Sequence, residues 1–430
     1  MSIPLIIGQI GQMLLHVADN MMIAHKGVDA VAALSLGSNI SVIFLVLGIG
    51  TLTCISVRTS IAKGSNKPAD ARSVCKNGVY LSLGLGVLFF LITWLASPLL
   101  YTFFDLKKDV LDDSLIYLLI IMASMIPAMV SIALKHHADA LNYIWQAFWI
   151  NIAGVVLNIF LNYLLIFGAL GAPELGLAGA GWATLIARIS IVVGMLIWFS
   201  KDSRLTEWIP HHWFSKLNPK EIKSLLKLGL PAGLQSCCEV SAFAGAGLII
   251  AKFGEQTLAA HQIALTIAGV AFMVPLGLSI ALTMRIGETI GNKRQHLLHT
   301  IYLSGWSIAL IFSVCTTLIF ALLGDKLTAL FLDDPQTASL AVSLLIVAAI
   351  FQIVDGQQIV SVGMLRGLED TAQPALFGFI SYWIIGIPAG CLLAFHYKMG
   401  AIGIWWGLAI GLTVAAILLG SRLWKLKPRA

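Results

Sequence analysis

Long apolar segments recur along the whole of this 430-residue chain, and no other feature limits its fold so strongly. A helix of about 20 apolar residues crosses a hydrocarbon core of about 30 Å. The backbone has no water to bond inside a bilayer, so such segments cross it as helices. Only 11% of the residues are charged, which excludes a water-soluble globular protein. We place twelve spans, at residues 3–25, 30–57, 75–99, 114–134, 147–170, 177–199, 225–251, 258–283, 299–323, 338–363, 373–396 and 401–423.

The basic residues of the loops predict the orientation of the chain. If the N-terminus is cytoplasmic, most of the 27 lysines and arginines fall in cytoplasmic loops, in agreement with the positive-inside rule. We therefore expect both termini to face the cytoplasm. The net charge of +6 then reflects membrane topology, and we expect no binding to nucleic acid.

The second half of the sequence repeats the first. At an offset of 227 residues, the matching pairs include Pro4 and Pro231, Gly50 and Gly277, and Arg58 and Arg285. Because each half has six spans, the halves share one orientation and form a parallel repeat. The predicted fold is an all-α polytopic membrane protein of two six-helix lobes. We place the N-terminal lobe at 1–200, a cytoplasmic linker at 201–224 and the C-terminal lobe at 225–430. This layout favours a secondary transporter.

Three carboxylates lie well inside predicted spans: Asp19, Glu239 and Asp355. A charge at mid-bilayer costs at least about 3 kcal/mol, so such residues usually mark a polar cavity or an ion path. The alternative is a protonated carboxyl that bonds a neighbouring helix. Polar companions favour a site, because carboxylate, amide and hydroxyl oxygens bind hard cations and a carboxylate can instead carry a proton. These companions are Asn158, Asn162 and Thr184.

Several stretches resemble the multidrug and toxic compound extrusion (MATE) transporters, in their bacterial NorM-like branch. "LGLPAGLQSCCEVSAFAGAGLIIAKFG" is similar to the family's seventh span, and "QIVDGQQIVSVGMLRGLEDTAQPALFGFISYWIIGIPAG" to its tenth and eleventh. "VLNIFLNYLLIFGALGAPELGLAGAGWAT" resembles the fifth and sixth spans, and "ADNMMIAHKG" the end of the first. The resemblance covers nearly the whole chain.

The resemblance implies a function and a set of site residues. It implies an antiporter in the bacterial inner membrane that exports amphipathic, mainly cationic small molecules through a cavity between the lobes. Inward sodium or proton flow would drive it, with no other cofactor, and a monomer would suffice. By position, Glu239 and Asp355 match the family's cation-coupling acids of the C-terminal lobe. The matching residues of the N-terminal lobe are Asp19, Asn158, Asn162 and Thr184.

Arg188 departs from the family pattern. It follows Thr184 by one helical turn, so both side chains are expected on the same face. One interpretation is an arginine that pairs with an acid or lines water. The other is a fixed positive charge that replaces the cation of the N-terminal lobe and leaves the other lobe as the sole coupling site.

Two charged segments lie near cytoplasmic helix ends. We interpret "HHAD", residues 136–139, as a solvated turn rather than a metal site. Arg366, Glu369 and Asp370 are expected in a charged turn after the tenth span, where they brace a gate or cap helices. The six cysteines lack metal-ligand spacing, so no bound metal is expected beyond the transported cation. The first span begins almost at Met1, from which we expect the native chain to start earlier.

Three other functions fit the sequence less well. A flippase for lipid-linked oligosaccharides, from the same superfamily, needs a basic cavity for pyrophosphate, whereas these spans carry more acids than bases. An intramembrane enzyme is disfavoured because neither HExxH nor GxSxG is present. A channel is disfavoured because the repeat carries no filter motif.

Overall fold

The computed structural model describes residues 4–9, 22–23, 28–99, 108–214, 216–331 and 334–426, and nearly all of them are helical. Within these ranges, eleven helices are long and apolar enough to span a membrane, which confirms the all-α polytopic fold. The first predicted span lies largely outside the described residues. The helices are α1 (Val28–Gly64), α2 (Pro68–Ala96), α3 (Lys108–Ala140), α4 (Ile144–Phe167), α5 (Gly176–Lys201), α6 (Pro219–Ile250), α7 (Glu255–Gly291), α8 (Leu298–Ala329), α9 (Pro335–Gly367), α10 (Ala372–His396) and α11 (Gly400–Lys425).

The chain forms two compact units, and the boundary between them falls inside a helix. The first unit runs from Ile7 to Gly233 and contains α1 to α5 with the start of α6. The second begins at Leu234, contains α7 to α11 with the rest of α6, and also takes in Pro4–Ile6. The lobe boundaries placed at residues 200 and 225 from the sequence stay predictions.

In the first unit, α3 is the central helix. It packs against α1, α2 and α5, while α4 packs on α5. Apolar side chains of α3, among them Leu118, Met122 and Met129, are almost completely buried. They form one core with residues of α1 and α2. Because methionine has an unbranched, flexible side chain, it fills the irregular gaps between these helices.

In the second unit, α9 takes the corresponding central position. It packs against α7, α8 and α11, while α10 packs on α11. Its Phe351 stacks on the buried Trp405 of α11, and the indole N–H of Trp405 donates to Nδ1 of His261 on α7 at 3.1 Å. Part of α10 has the wider π-helical turn, at Ile380–Gly386 and at Leu392–His396.

The backbone turns repeat as the sequence does. Non-glycine residues rarely adopt positive φ angles. Here Asn66 and Asn142 in the first unit have φ of 51° and 74°, and Lys293 and Glu369 have 56° and 62° at positions 227 residues later. The two units are therefore built on one backbone plan, down to single residues of their turns.

Two short helical segments, which we call the arms, pack into the unit formed mainly by the other half of the chain. The first arm includes Pro4–Ile6, and a Cβ on Gly277 of α7 would lie 2.5 Å from Cγ1 of Ile6. The second arm is the start of α6, and a Cβ on Gly50 of α1 would lie 2.7 Å from Cα of Gly233. Gly277 and Gly50, which we call the seats of the two arms, must be glycine because any side chain there would collide with the arm.

The segment between α5 and α6, residues 203–218, is packed onto the first unit. Leu205 and Ile209 are buried against α3 and α5. Side chains of α2 and α3 bond its backbone carbonyls, so the segment is a fixed part of this unit in the structure. The bonds run from Arg72 to Glu207 O, from Lys76 to Lys216 O, from Tyr80 to Trp213 O and between His137 and Trp208 O.

Candidate functional site

Three of the predicted site residues of the first unit form a connected chain of hydrogen bonds. Asn158 and Asn162 are buried on α4, one turn apart, and Thr184 lies on α5. The amide nitrogen of Asn162 donates to Oδ1 of Asn158 at 3.3 Å, and the amide nitrogen of Asn158 donates to Oγ1 of Thr184 at 3.4 Å. Asp19, which was predicted to join them, lies outside the described residues.

Arg188 is directed to a different helix from this chain of amides. Its Nη1 donates to Oγ of Ser124 at 2.7 Å and lies 3.8 Å from Sδ of Met125, both on α3. The guanidinium therefore ties α5 to the central helix of the first unit. Whether its charge also replaces a cation in this unit stays a prediction.

In the second unit, the two predicted acids are close enough for their charges to interact. Glu239 lies in the middle of α6, where it is partly buried, and Asp355 lies on α9 with only 5% of its surface exposed. Two carboxylates inside an apolar helix bundle repel each other unless a cation or a proton is shared between them. This is the arrangement that a cation-coupling site requires.

Arg366 lies within α9 and not in a charged turn after the span, as was predicted. It occupies the last turn of α9, and its Nη2 donates to Oε1 of Gln235 at 2.9 Å and to Oγ of Ser236 at 3.1 Å, both on α6. Its charge also interacts with Glu239, one turn further along α6. Glu239 therefore has a fixed positive charge in its surroundings.

Two uncharged polar side chains complete the site. Tyr382, in the π-helical part of α10, is completely buried, and its hydroxyl lies beside Glu239 without forming a well-aligned hydrogen bond. Gln358 follows Asp355 by one turn of α9 and is also completely buried. Neither atom of its amide has a hydrogen-bond partner in the described part of the chain, an expensive arrangement for a buried amide.

Neither Gln358 nor Tyr382 is among the residues predicted from the sequence, and Arg366 lies in a helix where a turn was expected. For Gln358 and Arg366 a signal was present, because both share one face of a helix with Asp355, at spacings of three and eleven residues. For Tyr382 there was none. Its position depends on the π-helical turns, which move the side chains that follow to a different face.

The "HHAD" segment is also buried, in contrast to the solvated turn that was predicted. His137 is fully enclosed, its Nδ1 lying 3.0 Å from Oγ1 of Thr59 and its Nε2 3.1 Å from the carbonyl of Trp208. Asp139 is 1% exposed and pairs with Lys135. The segment between α5 and α6 covers this helix end, which a local pattern cannot reveal.

No metal centre is found among the residues that the structure describes. Those ranges contain no group of three or more His, Cys, Asp or Glu side chains that could hold a metal ion, and all six cysteines are free thiols. The carboxylate pair with its amide and phenol neighbours is thus the strongest candidate for a site that binds a small cation.

Comparison with known proteins gives matches over nearly the whole chain. A family model described as MatE matches residues 4–164 and again residues 231–392. The "Probable multidrug resistance protein NorM" of Pseudomonas putida is 33% identical over 430 residues, which cover 99% of this chain and 93% of that protein. The "Multidrug resistance protein NorM" of Burkholderia vietnamiensis is 34% identical, with coverage of 98% and 92%. The two segments matched by the family model begin 227 residues apart, the offset of the internal repeat.

Solved structures agree with the fold. "MATE in the bent conformation" superposes with a TM-score of 0.89 at 21% identity and covers 98% of this chain and 93% of that one. The eukaryotic MATE transporter AtDTX14 gives a TM-score of 0.89 at 17% identity, with coverage of 98% and 94%. At such identities the likeness concerns the fold alone.

Proposed function

This chain belongs to the MATE family of transporters, and from that premise we propose that it is a secondary active antiporter. It exports amphipathic, mainly cationic compounds from the bacterial cytoplasm in exchange for inward flow of sodium or protons. The paired carboxylates of Glu239 and Asp355 inside the second unit carry the proposal. The names of the curated relatives support drug-like substrates.

The acids suit exchange because their charge must always be balanced. An uncompensated carboxylate inside a bilayer is expensive, so the pair favours states in which a cation or a proton is bound. Antiport requires that the exported compound and the coupling cation oppose each other's binding. Such opposition is a coupling free energy between the two ligands, and each ligand weakens the binding of the other by the same factor.

The first unit contributes uncharged oxygens to the proposed mechanism. The bonded chain of Asn158, Asn162 and Thr184 supplies amide and hydroxyl groups, and Asp19 is proposed as their carboxylate partner. In this proposal the protein acts as a monomer in the inner membrane with both termini in the cytoplasm. Sodium or the proton is its only inorganic partner, and nucleic acid has no part.

The test is efflux of a fluorescent cationic dye from proteoliposomes with the sodium and pH gradients imposed separately. We expect one gradient to drive efflux in the wild-type protein. Glu239→Gln and Asp355→Asn should each abolish the stimulation, because an amide holds neither a sodium ion nor a proton at comparable strength. Stimulation by sodium alone identifies a sodium antiporter, and stimulation by the pH gradient alone makes the acids proton carriers.

The matched control is Glu288→Gln, which changes an acid of α7 outside the site and should leave the dependence on the gradient unchanged. Folding of each variant is checked by thermal unfolding in detergent. Efflux that responds to neither gradient in a folded wild-type protein would refute the proposal and favour the flippase.

A further inference from the structure

The segment between α5 and α6 runs beside the first turns of α2. The hydroxyl of Tyr80 donates to Trp213 O at 3.0 Å. Nζ of Lys76 donates to Lys216 O at 2.9 Å. Both side chains belong to the start of the span predicted at 75–99, and Tyr80 lies only about 8 Å along that span, at 1.5 Å per residue. The end of the segment therefore lies at the level where lipid headgroups meet the hydrocarbon core.

Two apolar side chains at this level point away from the protein. Trp213 packs onto the core of the first unit, whereas the next side chain, Phe214, is 97% exposed and Leu217 is 47% exposed. No other large apolar side chain in the described part of the chain is as exposed as Phe214. Such exposure is unfavourable in water, but an aromatic ring gains free energy when it enters the interfacial region of a bilayer.

Basic side chains accompany these apolar ones. Lys216 lies between Phe214 and Leu217 in the sequence and is exposed, as are Lys220 and Lys223 at the start of α6. Because Nζ of Lys76 reaches the backbone of Lys216, a second ammonium group occupies the same place. Lysines at the edge of a membrane attract the negative headgroups of anionic lipids.

We propose that this stretch is an interfacial anchor for an anionic lipid. Phe214 and Leu217 enter the headgroup region of the bilayer, and Lys216 and Lys76 bind the lipid phosphate. In the orientation predicted from the loop charges, the leaflet is the cytoplasmic one. A lipid surface fits better than a protein partner because the bonds to α2 hold these side chains beside the membrane. The anchor ties the connection between the two repeats to one leaflet.

The first experiment measures the depth of position 214 with a nitroxide label. The four cysteines that are not buried are replaced by serine, and the buried Cys54 and Cys75 stay. The label is placed at Phe214→Cys in the full-length protein, reconstituted into vesicles of phosphatidylcholine and phosphatidylglycerol. Oxygen concentrates in the bilayer and a nickel chelate in water, so the ratio of the two collision rates reports depth.

The matched control is the same label at Glu207→Cys, an exposed position of the same segment. Arg72 bonds the carbonyl of Glu207, and Arg72 precedes Tyr80 by about 12 Å along α2, on the side of the water. The ratio of oxygen to nickel collisions should be at least about threefold higher at position 214 than at position 207.

The second experiment tests the charge. Native mass spectrometry measures the binding of phosphatidylglycerol to the purified full-length protein in detergent, with all its cysteines in place. Lys216→Ala should weaken this binding about fivefold, the contribution of one lysine near an anionic surface. Lys252→Ala removes an equal charge in the turn that follows α6, at the opposite end of that helix, and should bind as the wild type does.

A label at position 214 that meets the nickel chelate as often as the label at 207 would overturn the proposal. Phe214 would then face water, as expected for a surface that binds another protein. The proposal also fails if Lys216→Ala binds phosphatidylglycerol as the wild type does, or if Lys252→Ala weakens binding equally. Neither measurement depends on transport, so a failure of the proposed antiport would leave both results valid.

Discussion

The two units share one backbone plan, but the polar side chains that the structure describes in them differ. In the first unit, Asn158 and Asn162 bond each other and Thr184 through uncharged groups. In the second, Glu239 interacts with the opposite charge of Arg366 and with the like charge of Asp355. The comparison teaches that the repeat fixes helix packing and turns, whereas its polar side chains are set residue by residue.

The repeat also places opposite charges at equivalent helix ends. Arg366, in the last turn of α9, corresponds at the offset of 227 residues to Asp139, in the last turn of α3. Asp139 is neutralised by Lys135 on its own helix, whereas Arg366 reaches across to α6. One position therefore makes a local ion pair in the first unit and a contact between helices in the second.

The largest expected effect comes from neutralising the carboxylates of only one unit. Glu239→Gln should reduce gradient-driven efflux to background, because an amide does not carry the negative charge that is proposed to bind the coupling cation. Asn162→Leu, which removes an amide of similar size in the first unit, should reduce efflux about fivefold, the value of one hydrogen bond. Initial rates in proteoliposomes measure both. Equal loss in the two variants would show that the units do not differ as described.

The next largest effect is a loss of stability when a tightly packed glycine is replaced, and it should be the same in both units. Gly179 and Gly403 are equivalent glycines of α5 and α11, and an added Cβ would lie 2.5 Å from Leu165 O and 2.6 Å from Ala394 N. Valine at either position should lower the free energy of unfolding by about 1–3 kcal/mol. Thermal unfolding in detergent tests this.

The control for these glycine variants is Gly420→Val, because a Cβ at Gly420 meets nothing within 4 Å. Its unfolding temperature should stay near that of the wild type. A large difference between Gly179→Val and Gly403→Val would mean that the units do not share packing as closely as their turns suggest.

Gln358→Leu should separate binding from stability in the second unit. Because neither amide atom of Gln358 has a hydrogen-bond partner among the described residues, leucine should leave the unfolding temperature unchanged or raise it. If the amide helps to hold the cation, half-maximal efflux should require roughly 3–10 times more of the coupling ion. Gln357→Leu removes a hydrogen bond to Trp306 O. It should therefore lower the unfolding temperature and leave the dependence of efflux on the coupling ion unchanged. Unchanged ion dependence in Gln358→Leu would remove Gln358 from the site.

Arg188→Ala tests whether the first unit excludes a cation through its own fixed charge. If it does, the variant should respond to roughly two- to fivefold lower concentrations of the coupling ion, because a repulsive charge has gone. Arg188→Lys keeps the positive charge but loses the planar guanidinium that bonds Ser124. It should retain the wild-type dependence of efflux on the concentration of the coupling ion. An ion dependence unaffected by Arg188→Ala would leave Arg188 only its structural link to α3.

The smallest effect lies outside the predicted spans, at Asp202, which directly follows α5. Hydrogen bonds from Arg204 lower the pKa of Asp202 to about 2. A lowered pKa means that the ionised acid stabilises the fold above about pH 4, and this contribution disappears as the pH falls towards 2. Asp202→Asn should lower the unfolding temperature by about 1 °C at pH 7, since an exposed pair contributes little. A difference that persists unchanged at pH 2 would contradict the assignment.

Much of the fold could be predicted from the sequence because hydropathy and the repeat report it directly. Every predicted span from the second to the twelfth overlaps a helix of the structure. The sequence also predicts that Glu239 and Asp355 lie inside spans, because a charged residue within an apolar segment is easily recognised. That the two acids approach each other was implied by the family resemblance and not by their spacing.

The remaining parts depend on contacts between distant segments. Hydropathy does not show where a helix ends, so Arg366 was assigned to a turn although α9 continues to Gly367. The burial of His137 follows from a segment some 70 residues later in the chain, which bonds it through Trp208. Likewise, the seats of the arms at Gly50 and Gly277 become visible only when the helices are packed.

The exchange of the arms limits how the polypeptide can be divided. A cut between α5 and α6 would leave Pro4–Ile6 on one fragment and Gly277, against which Ile6 packs, on the other. The start of α6 and its seat at Gly50 would be parted in the same way. Each fragment made alone would show an empty groove and carry an unmatched helical end, whereas the two made together could exchange these ends. The halves of this duplicated chain are thus not two independent domains joined by a linker. Each half supplies an arm that packs against a glycine of the other half.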